Sequence, residues 1–116
     1  MIDKRELRRI EVDLKAECKC IEPVEKKLKV RVVNINQNGL CCVVPMQLKF
    51  GQTASLDVDL QTQGRLCADV AVVWSEHIGK TEEHHVGFKI TEIAPEQEAK
   101  FFHFYNCQLM RQRFGV

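Results

Sequence analysis

The sequence predicts an all-β-dominated fold: a small antiparallel, six-stranded, split-barrel-like β-barrel followed by one C-terminal α-helix. Between residues 12 and 90, apolar residues recur at every second position in short segments, which is the period of a strand with one buried face. Turn-forming residues separate these segments at the spacing typical of small barrels. After Pro95 the apolar residues recur every three or four positions, which is the period of an amphipathic helix.

The size and composition are those of one globular domain. The chain has 116 residues, of which 45% are hydrophobic and 28% are charged, a balance that excludes general disorder. We therefore expect a single domain over residues 1–116, with a charged arm at 1–10, the barrel at 11–91 and the helix at 95–113. The net charge of +1 argues against DNA or RNA as a partner, because nucleic-acid binding needs a clear basic excess.

No apolar run is long enough to cross a membrane or to form a signal-peptide core. Six of the first nine residues are charged. We therefore expect a cytoplasmic protein without membrane insertion, with its cysteines reduced.

The first half of the chain predicts three strands. Alternation runs from Val12 to Cys20 and again from Leu28 to Val32, which indicates two strands with one buried face each. Residues 34–39 are turn formers, and Gly39 is expected to supply a positive φ. A short apolar run, residues 40–44, forms the third strand before Pro45.

The second half predicts three more strands and the helix. A turn at residues 48–52 leads to a strand at 56–60, a hairpin loop at 62–64 and a long strand at 66–74, whose alternation places Trp74 on the same face as Val72. A polar loop at 77–84 precedes the last strand at 86–90.

The helix prediction includes its start, its charges and its buried face. Pro95 suits the first turn, where its missing N–H is not needed. Acidic residues near the start and basic residues near the end suit the helix dipole. These are Glu96, Glu98, Arg111 and Arg113. We expect an apolar stripe to pack on the barrel, formed by Phe101, Tyr105 and Leu109 with Phe102 and Met110 beside them.

The six cysteines are expected to fill the core as free thiols. The chain has no Cys-x-x-Cys pair and no zinc-finger spacing, and both Cys18 and Cys20 fall on the apolar face of the first strand, where cysteine behaves as a small hydrophobe. An assembled metal or redox site is the alternative that the sequence leaves open.

The histidines and the remaining polar residues indicate no catalytic or metal centre. The adjacent His84 and His85 point to opposite faces of an extended segment, and both His77 and His103 are isolated in the sequence. No catalytic or nucleotide-hydrolysing motif is present. We therefore expect a protein that is not an enzyme and that needs neither a metal nor a cofactor.

Two polar segments are candidates for ligand binding. In the arm, Arg5 and Arg9 are four residues apart, with Lys4 and Arg8 adding charge; guanidinium groups grip phosphates and stack on purines. The alternative is a solvated helical turn. The second segment, Asn34-Ile35-Asn36-Gln37-Asn38-Gly39, could offer polar side chains and backbone N–H groups to a base edge or a phosphate. Its alternative is a simple turn.

Taken in order, these segments resemble the PilZ domain, the bacterial receptor family for cyclic di-GMP. The family's first motif, Arg-x-x-x-Arg before the first barrel strand, matches Arg5-Glu6-Leu7-Arg8-Arg9. Its second motif, Asp/Asn-x-Ser-x-x-Gly, matches residues 34–39 at the first and last positions, whereas Asn36 replaces the serine. The long strand ending in Trp74, the glycine-bearing segment Val86-Gly87-Phe88 and the final helix extend the resemblance along the chain.

The resemblance implies a non-enzymatic sensor of cyclic di-GMP that acts in motility or biofilm regulation. Arg5 and Arg9 would hold phosphate and guanine, assisted by Lys4 and Arg8. The polar segment would contact a guanine edge through Asn34 and Asn36, with Gly39 allowing the backbone to turn. Ordering of the arm would pass the signal to an unidentified effector protein. The alternative is a PilZ-like adaptor that no longer binds nucleotide, and the oligomeric state is left open.

Overall fold

A computed structural model describes residues 9–20 and 25–115 and confirms the predicted fold class. Six antiparallel strands form a closed barrel, and one helix follows them. The strands are β1 (Ile10–Cys20), β2 (Lys26–Ile35), β3 (Gly39–Val44), β4 (Thr53–Asp59), β5 (Arg65–His77) and β6 (His84–Glu92). The helix, α1, spans Pro95–Phe114.

The barrel follows the order β1-β2-β3-β6-β5-β4 and closes by pairing β4 with β1. Closure pairs each of the six described strands on both sides, which protects the strand edges from pairing with other chains. The order places β3 between β2 and β6, and every residue of β3 is buried. The start of β3 is therefore enclosed by strands from both halves of the sequence, which positions the site described below.

The barrel interior is filled by aliphatic side chains and thiols. Cys18 and Cys20 are buried on the inner face of β1, with their Sγ atoms 3.8 Å apart. Burial raises the pKa of the Cys18 thiol to about 12, and Cys20 adds to this shift. Burial also raises the pKa of Cys42. All six cysteines are free thiols in the structure, and Cys18, Cys20 and Cys42 are buried core residues, where cysteine packs as a small hydrophobe.

A β-bulge moves Trp74 out of the predicted inner face. The pairing of β5 with β6 shifts between Val72 and Trp74, and an extra residue in one strand reverses the side on which the following residues lie. As a result, Val72 is only 1% exposed, whereas Trp74 is 37% exposed. The prediction that both share the buried face is therefore wrong.

The helix packs on the barrel through the predicted stripe, with Phe101 and Tyr105 buried and Leu109 packed against the core, but the flanking residues differ from the prediction. Phe101, Phe104 and Tyr105 are buried, whereas Phe102 and Met110 are 40% and 52% exposed. The prediction is wrong about Phe102 and Met110, and it omits Phe104. The cause is the rotation of the helix about its axis, which polar contacts to the barrel help to fix.

Three side chains of α1 bind the backbone of the barrel. Lys100 Nζ donates to the carbonyl of Arg65 at 2.8 Å, and the backbone N–H of Cys67 donates to Gln97 Oε1 at 3.0 Å. Gln112 Nε2 donates to the carbonyl of Glu11 at 2.8 Å. The first half of the helix thus contacts β5, and the last turn of the helix contacts β1. Among the described residues, no helix is long and apolar enough to cross a membrane.

Candidate ligand-binding cleft

Four of the sequence-predicted site residues meet at one end of the barrel. Arg9, Asn34, Asn36 and Gly39 line a cleft of about 230 Å³. The other three predicted residues, Lys4, Arg5 and Arg8, lie outside the described residues. The remaining lining residues are Asn38, Leu40, Cys41, Val73, Trp74, Gly87, Phe88 and Lys89.

The floor of the cleft is a row of residues across four neighbouring strands. Asn34 of β2 pairs with Cys41 of β3, and Cys41 pairs in turn with Gly87 of β6. Gly87 pairs with Trp74 of β5. The bulge before Trp74 brings its side chain to the outer surface of the barrel, so it borders the same cleft as Asn34.

The indole of Trp74 lies against the backbone of Gly87. A Cβ atom placed on Gly87 would come within 2.1 Å of Trp74 Nε1 and 2.4 Å of Cε2, so only glycine leaves room for the ring there. Because the indole remains 37% exposed, it offers an aromatic surface to a flat ligand. Sequence reasoning treated Trp74 and Gly87 as features of the fold alone, because neither the bulge nor the pairing is visible in the alternation.

Asn36 organises the turn that forms one end of the cleft. Its Oδ1 accepts hydrogen bonds from the backbone N–H groups of Asn38 and Gly39, both at 2.8 Å. Its own N–H donates to the carbonyl of Gly39 at 3.0 Å. This is an Asx-turn, in which a side-chain oxygen replaces a backbone acceptor. The NH₂ group of Asn36 has no hydrogen-bond partner within the described part of the chain, so it can donate to a ligand.

Gly39 is required for close packing and not for a positive φ. It is absent from the glycines with positive φ, namely Gly51, Gly64, Gly79 and Gly115, so the prediction about its conformation is wrong. A Cβ atom at this position would lie 2.1 Å from the carbonyl oxygen of Phe88. Gly39 therefore allows the turn to approach β6, where the N–H of Ile90 also donates to the carbonyl of Asn38 at 3.1 Å.

The thiol of Cys41 lies in the floor of the cleft, where its pKa responds to burial and to the charge of Arg9. Burial raises the pKa of the Cys41 thiol, while the positive charge of Arg9 and a hydrogen bond with the Asn34 side chain act in the opposite direction. The thiol therefore remains protonated near neutral pH. Arg9 and Asn34 line the same cleft as Cys41, and Asn34 is the register partner of Cys41, so a cation and an amide flank a neutral floor.

The electrostatic character of the cleft favours an anion. Arg9 and Lys89 are the charged residues among those that line it, and none of the described lining residues is a carboxylate. A larger cleft of about 600 Å³ on β1, β4 and β5 is different, because its lining includes four carboxylates. These are Glu17, Asp57, Asp69 and Glu92. The larger cleft also contains Lys19 and Lys27, so carboxylates outnumber cations there, whereas the charged lining residues of the smaller cleft are both cations. Negative ligand groups are thus favoured in the smaller cleft.

The histidines are not isolated, contrary to the sequence-based interpretation. His77 and His84 are register partners with ring centroids 4.9 Å apart. His103 Nε2 lies 3.7 Å from Cys107 Sγ on α1. Neither pair lines the cleft. Their proximity depends on strand pairing in the first case and on helical spacing in the second.

Comparison with known families identifies the family of the chain. The sequence model of the PilZ domain family matches residues 3–106 of the chain. No curated protein sequence shows significant similarity to the chain.

Several solved structures share this fold. The PilZ domain of YcgR from Escherichia coli, a structure with c-di-GMP, is 15% identical with a TM-score of 0.70, and the match covers 98% of this chain and all of that one (100%). The Bacillus subtilis inhibitor of motility, MotI/DgrA, is 19% identical with a TM-score of 0.72, covering 93% of this chain and 53% of that one. The apo state of K. pneumonia MrkH is 11% identical with a TM-score of 0.78, covering 100% of this chain and 55% of that one. This chain therefore spans about half the length of MotI/DgrA and of MrkH.

Proposed function

This chain belongs to the PilZ domain family, and we propose that it is a receptor that binds cyclic di-GMP in the cleft beside Trp74. The family model matches most of the chain, and a PilZ domain of the same fold is known with c-di-GMP. The observation that carries the proposal is the composition of the cleft. Two cations, three asparagine side chains and an exposed indole surround it, without a carboxylate among the described lining residues.

Each of these groups suits one part of the nucleotide. The guanidinium of Arg9 can form paired hydrogen bonds with a phosphate or with guanine O6 and N7. Asn34 and the NH₂ group of Asn36 can contact a guanine edge, because amides supply both donors and acceptors. The exposed face of Trp74 provides a stacking surface, and such stacking contributes about 1–3 kcal/mol per base.

The cleft accommodates only part of a dinucleotide. Pockets for drug-sized ligands have volumes of about 300–1,000 Å³, whereas this cleft has about 230 Å³. We infer that Lys4, Arg5 and Arg8, which precede Arg9 in the sequence, supply the remaining contacts. Their ordering around the ligand is the event by which the receptor signals to an effector protein.

Calorimetric titration with cyclic di-GMP tests the proposal. Wild-type protein should bind with micromolar or tighter affinity. The Arg9→Ala variant should bind about ten- to a hundredfold more weakly, because a charge-assisted contact contributes about 1.5–3 kcal/mol. Arg31→Ala is the matched control, since Arg31 is an exposed arginine of β2 that forms an ion pair with Asp13 and does not line the cleft. Its affinity should equal that of the wild type.

The second candidate function is an adaptor that acts through protein contacts without nucleotide. The observation in its favour is Asn36, which stands where the family motif has serine and whose Oδ1 is already engaged within the turn. Absence of binding by the wild type together with binding by Asn36→Ser would support the adaptor. Equal binding by the wild type and by Arg9→Ala would place the nucleotide elsewhere.

A further inference from the structure

Helix α1 carries a histidine and a cysteine on one side at the spacing of zinc ligands. His103 and Cys107 are four residues apart, so they lie one above the other on the helix surface. His103 Nε2 is 3.7 Å from Cys107 Sγ. In a tetrahedral site with Zn–S of about 2.3 Å and Zn–N of about 2.0–2.1 Å, the sulfur and the nitrogen are about 3.5–3.6 Å apart. The two atoms are thus already close to the separation that one Zn²⁺ requires.

One helix supplies only half of a closed zinc site. The described residues contain no group of three or more histidine, cysteine or acidic side chains that could hold a metal ion, whereas structural zinc is almost always held by four ligands. His103 is exposed and Cys107 is partly exposed, so a second copy of the helix can reach both. That copy would complete a site of two cysteines and two histidines.

The ligand positions are symmetric about Tyr105, which suits an antiparallel pair of helices. His103 lies two residues before Tyr105 and Cys107 lies two residues after it. A twofold axis passing beside this level of the helix places the His103 of each copy opposite the Cys107 of the other. An interface of this kind is self-complementary and closes as a dimer.

The charges of α1 have nearly the same centre of symmetry. Glu96 and Glu98 lie nine and seven residues before Tyr105. Arg111 and Arg113 lie six and eight residues after it. The antiparallel arrangement therefore places the acidic first turn of one copy beside the basic last turn of the other. A parallel arrangement would place like charges together, which is unfavourable.

Exposed apolar side chains extend the same side of the helix. Met110 follows Cys107 by three residues and Phe114 follows Met110 by four, so all three lie on neighbouring positions of the surface. Met110 is 52% exposed and Phe114 is 63% exposed. A second copy would cover part of this apolar surface, which adds a hydrophobic contribution to the metal and the ion pairs.

We propose that α1 binds Zn²⁺ in a Cys₂His₂ site shared by two antiparallel copies of this chain. Each Cys107 releases its thiol proton to solvent and binds as a thiolate, and each His103 binds through a neutral imidazole. The two thiolates balance the charge of the ion. The site is separate from the nucleotide cleft and does not depend on the proposed receptor function.

Zinc titration of the full chain with sedimentation velocity tests the proposal. Metal-free protein should sediment as a monomer, and Zn²⁺ should convert it to a dimer that retains one zinc per two chains. Cobalt substitution should give the absorption bands of a tetrahedral, thiolate-bound ion. Cys107→Ser and His103→Gln should abolish both dimer formation and these bands, while unchanged thermal melts show that the fold is retained.

Two sets of variants separate this site from other interpretations. Cys67→Ser is the matched control, because Cys67 is an exposed cysteine of β5 outside the helix, and it should dimerise like the wild type. Glu96→Lys with Glu98→Lys should weaken the dimer, and adding Arg111→Glu with Arg113→Glu should restore it. One zinc per chain without dimerisation, or equal zinc uptake by Cys107→Ser, would overturn the proposal and leave the pair as a simple hydrogen bond.

Discussion

The Trp74 indole occupies the space that a side chain at Gly87 would fill, with Nε1 only 2.1 Å from the position of a Cβ atom. This relationship joins β5 to β6 on the outside of the barrel and turns an aromatic face toward the cleft. It exists because the bulge between Val72 and Trp74 reverses the side on which the tryptophan lies.

Substitution of Gly87 by alanine should weaken nucleotide binding and destabilise the fold only moderately. The added methyl group displaces the indole, which can move toward solvent because it is already 37% exposed. We expect a tenfold or greater loss of cyclic di-GMP affinity, with a loss of about 1–2 kcal/mol in unfolding free energy. Calorimetric titration and urea unfolding measure the two effects. Unchanged affinity would show that the position of the indole is irrelevant to binding.

Substitution of Gly39 by alanine should destabilise the barrel strongly. The obstacle here is the backbone carbonyl of Phe88, at 2.1 Å from the added Cβ, so β3 and β6 must separate. We expect a loss of about 3 kcal/mol or more in the free energy of unfolding, at the upper end of overpacking costs. Gly79→Ala is the control, because Gly79 has a positive φ of 50° and no atom within 4 Å of its Cβ position. The Gly79→Ala variant should lose only about 1–2 kcal/mol of unfolding free energy, because its sole cost is an alanine in a left-handed backbone conformation.

Comparison of Asn36→Ala with Asn36→Ser should separate the structural role of Asn36 from its ligand role. Alanine removes the acceptor of two backbone N–H groups, which should cost about 1–2 kcal/mol of stability. Serine can still accept within the turn and should retain most of that stability. If the NH₂ group of Asn36 contacts the nucleotide, both variants should bind more weakly than the wild type in calorimetric titration. Tighter binding by the serine variant would show instead that asparagine crowds the cleft.

The core thiols should make the barrel sensitive to alkaline pH. The pKa of Cys18 rises from a model-peptide value of 9.0 to about 12 in the folded protein, so the folded state resists losing this proton. The stabilisation from the neutral thiol is complete below pH 9 and declines as the pH rises from about 9 to 12. Urea unfolding between pH 7 and 11 should show this decline, and Cys18→Ala should reduce its slope. An identical slope in both proteins would contradict the assignment to Cys18.

Thiol reactivity tests the reduced state of all six cysteines. Under native conditions a thiol reagent should modify the exposed Cys67 rapidly and the buried Cys18 and Cys42 slowly, because burial keeps them protonated. Denatured, non-reduced protein should yield six thiols. A lower count would indicate a disulfide or a tightly bound metal.

The sequence predicts the barrel well because strand alternation and turn residues are local signals. The segments around Val30 and Val58 fall inside observed strands. They were predictable because each strand has one buried face and one solvent-exposed face. The position of Trp74 is not predictable from the alternation, because the bulge before it depends on the pairing with the partner strand. The helix face is ambiguous for a similar reason. Phe101 and Phe102 are equally apolar, and the contacts of the helix with the barrel, such as the hydrogen bond from Gln112 to Glu11, are not visible in the helical period.

The candidate site is only partly predictable for the same physical reason. Arg9, Asn34 and Asn36 follow from motifs in the sequence, because short motifs supply their own polar groups. Gly87 and Lys89 enter the cleft through the pairing of β6 with β3, which joins residues about 50 positions apart in sequence. Trp74 enters it through the irregular pairing of β5 with β6. The role of Gly39 is likewise set by Phe88 of a distant strand.

The most direct test of the central claim uses the indole N–H resonance of Trp74, since the chain contains one tryptophan. Cyclic di-GMP added to ¹⁵N-labelled protein should shift this resonance together with the amides of residues 34–41 and of Gly87. The shifts should saturate at the affinity measured by calorimetry and should weaken in Arg9→Ala. An unchanged Trp74 resonance at saturating nucleotide, or shifts confined to the acidic cleft around Asp57 and Asp69, would contradict the account.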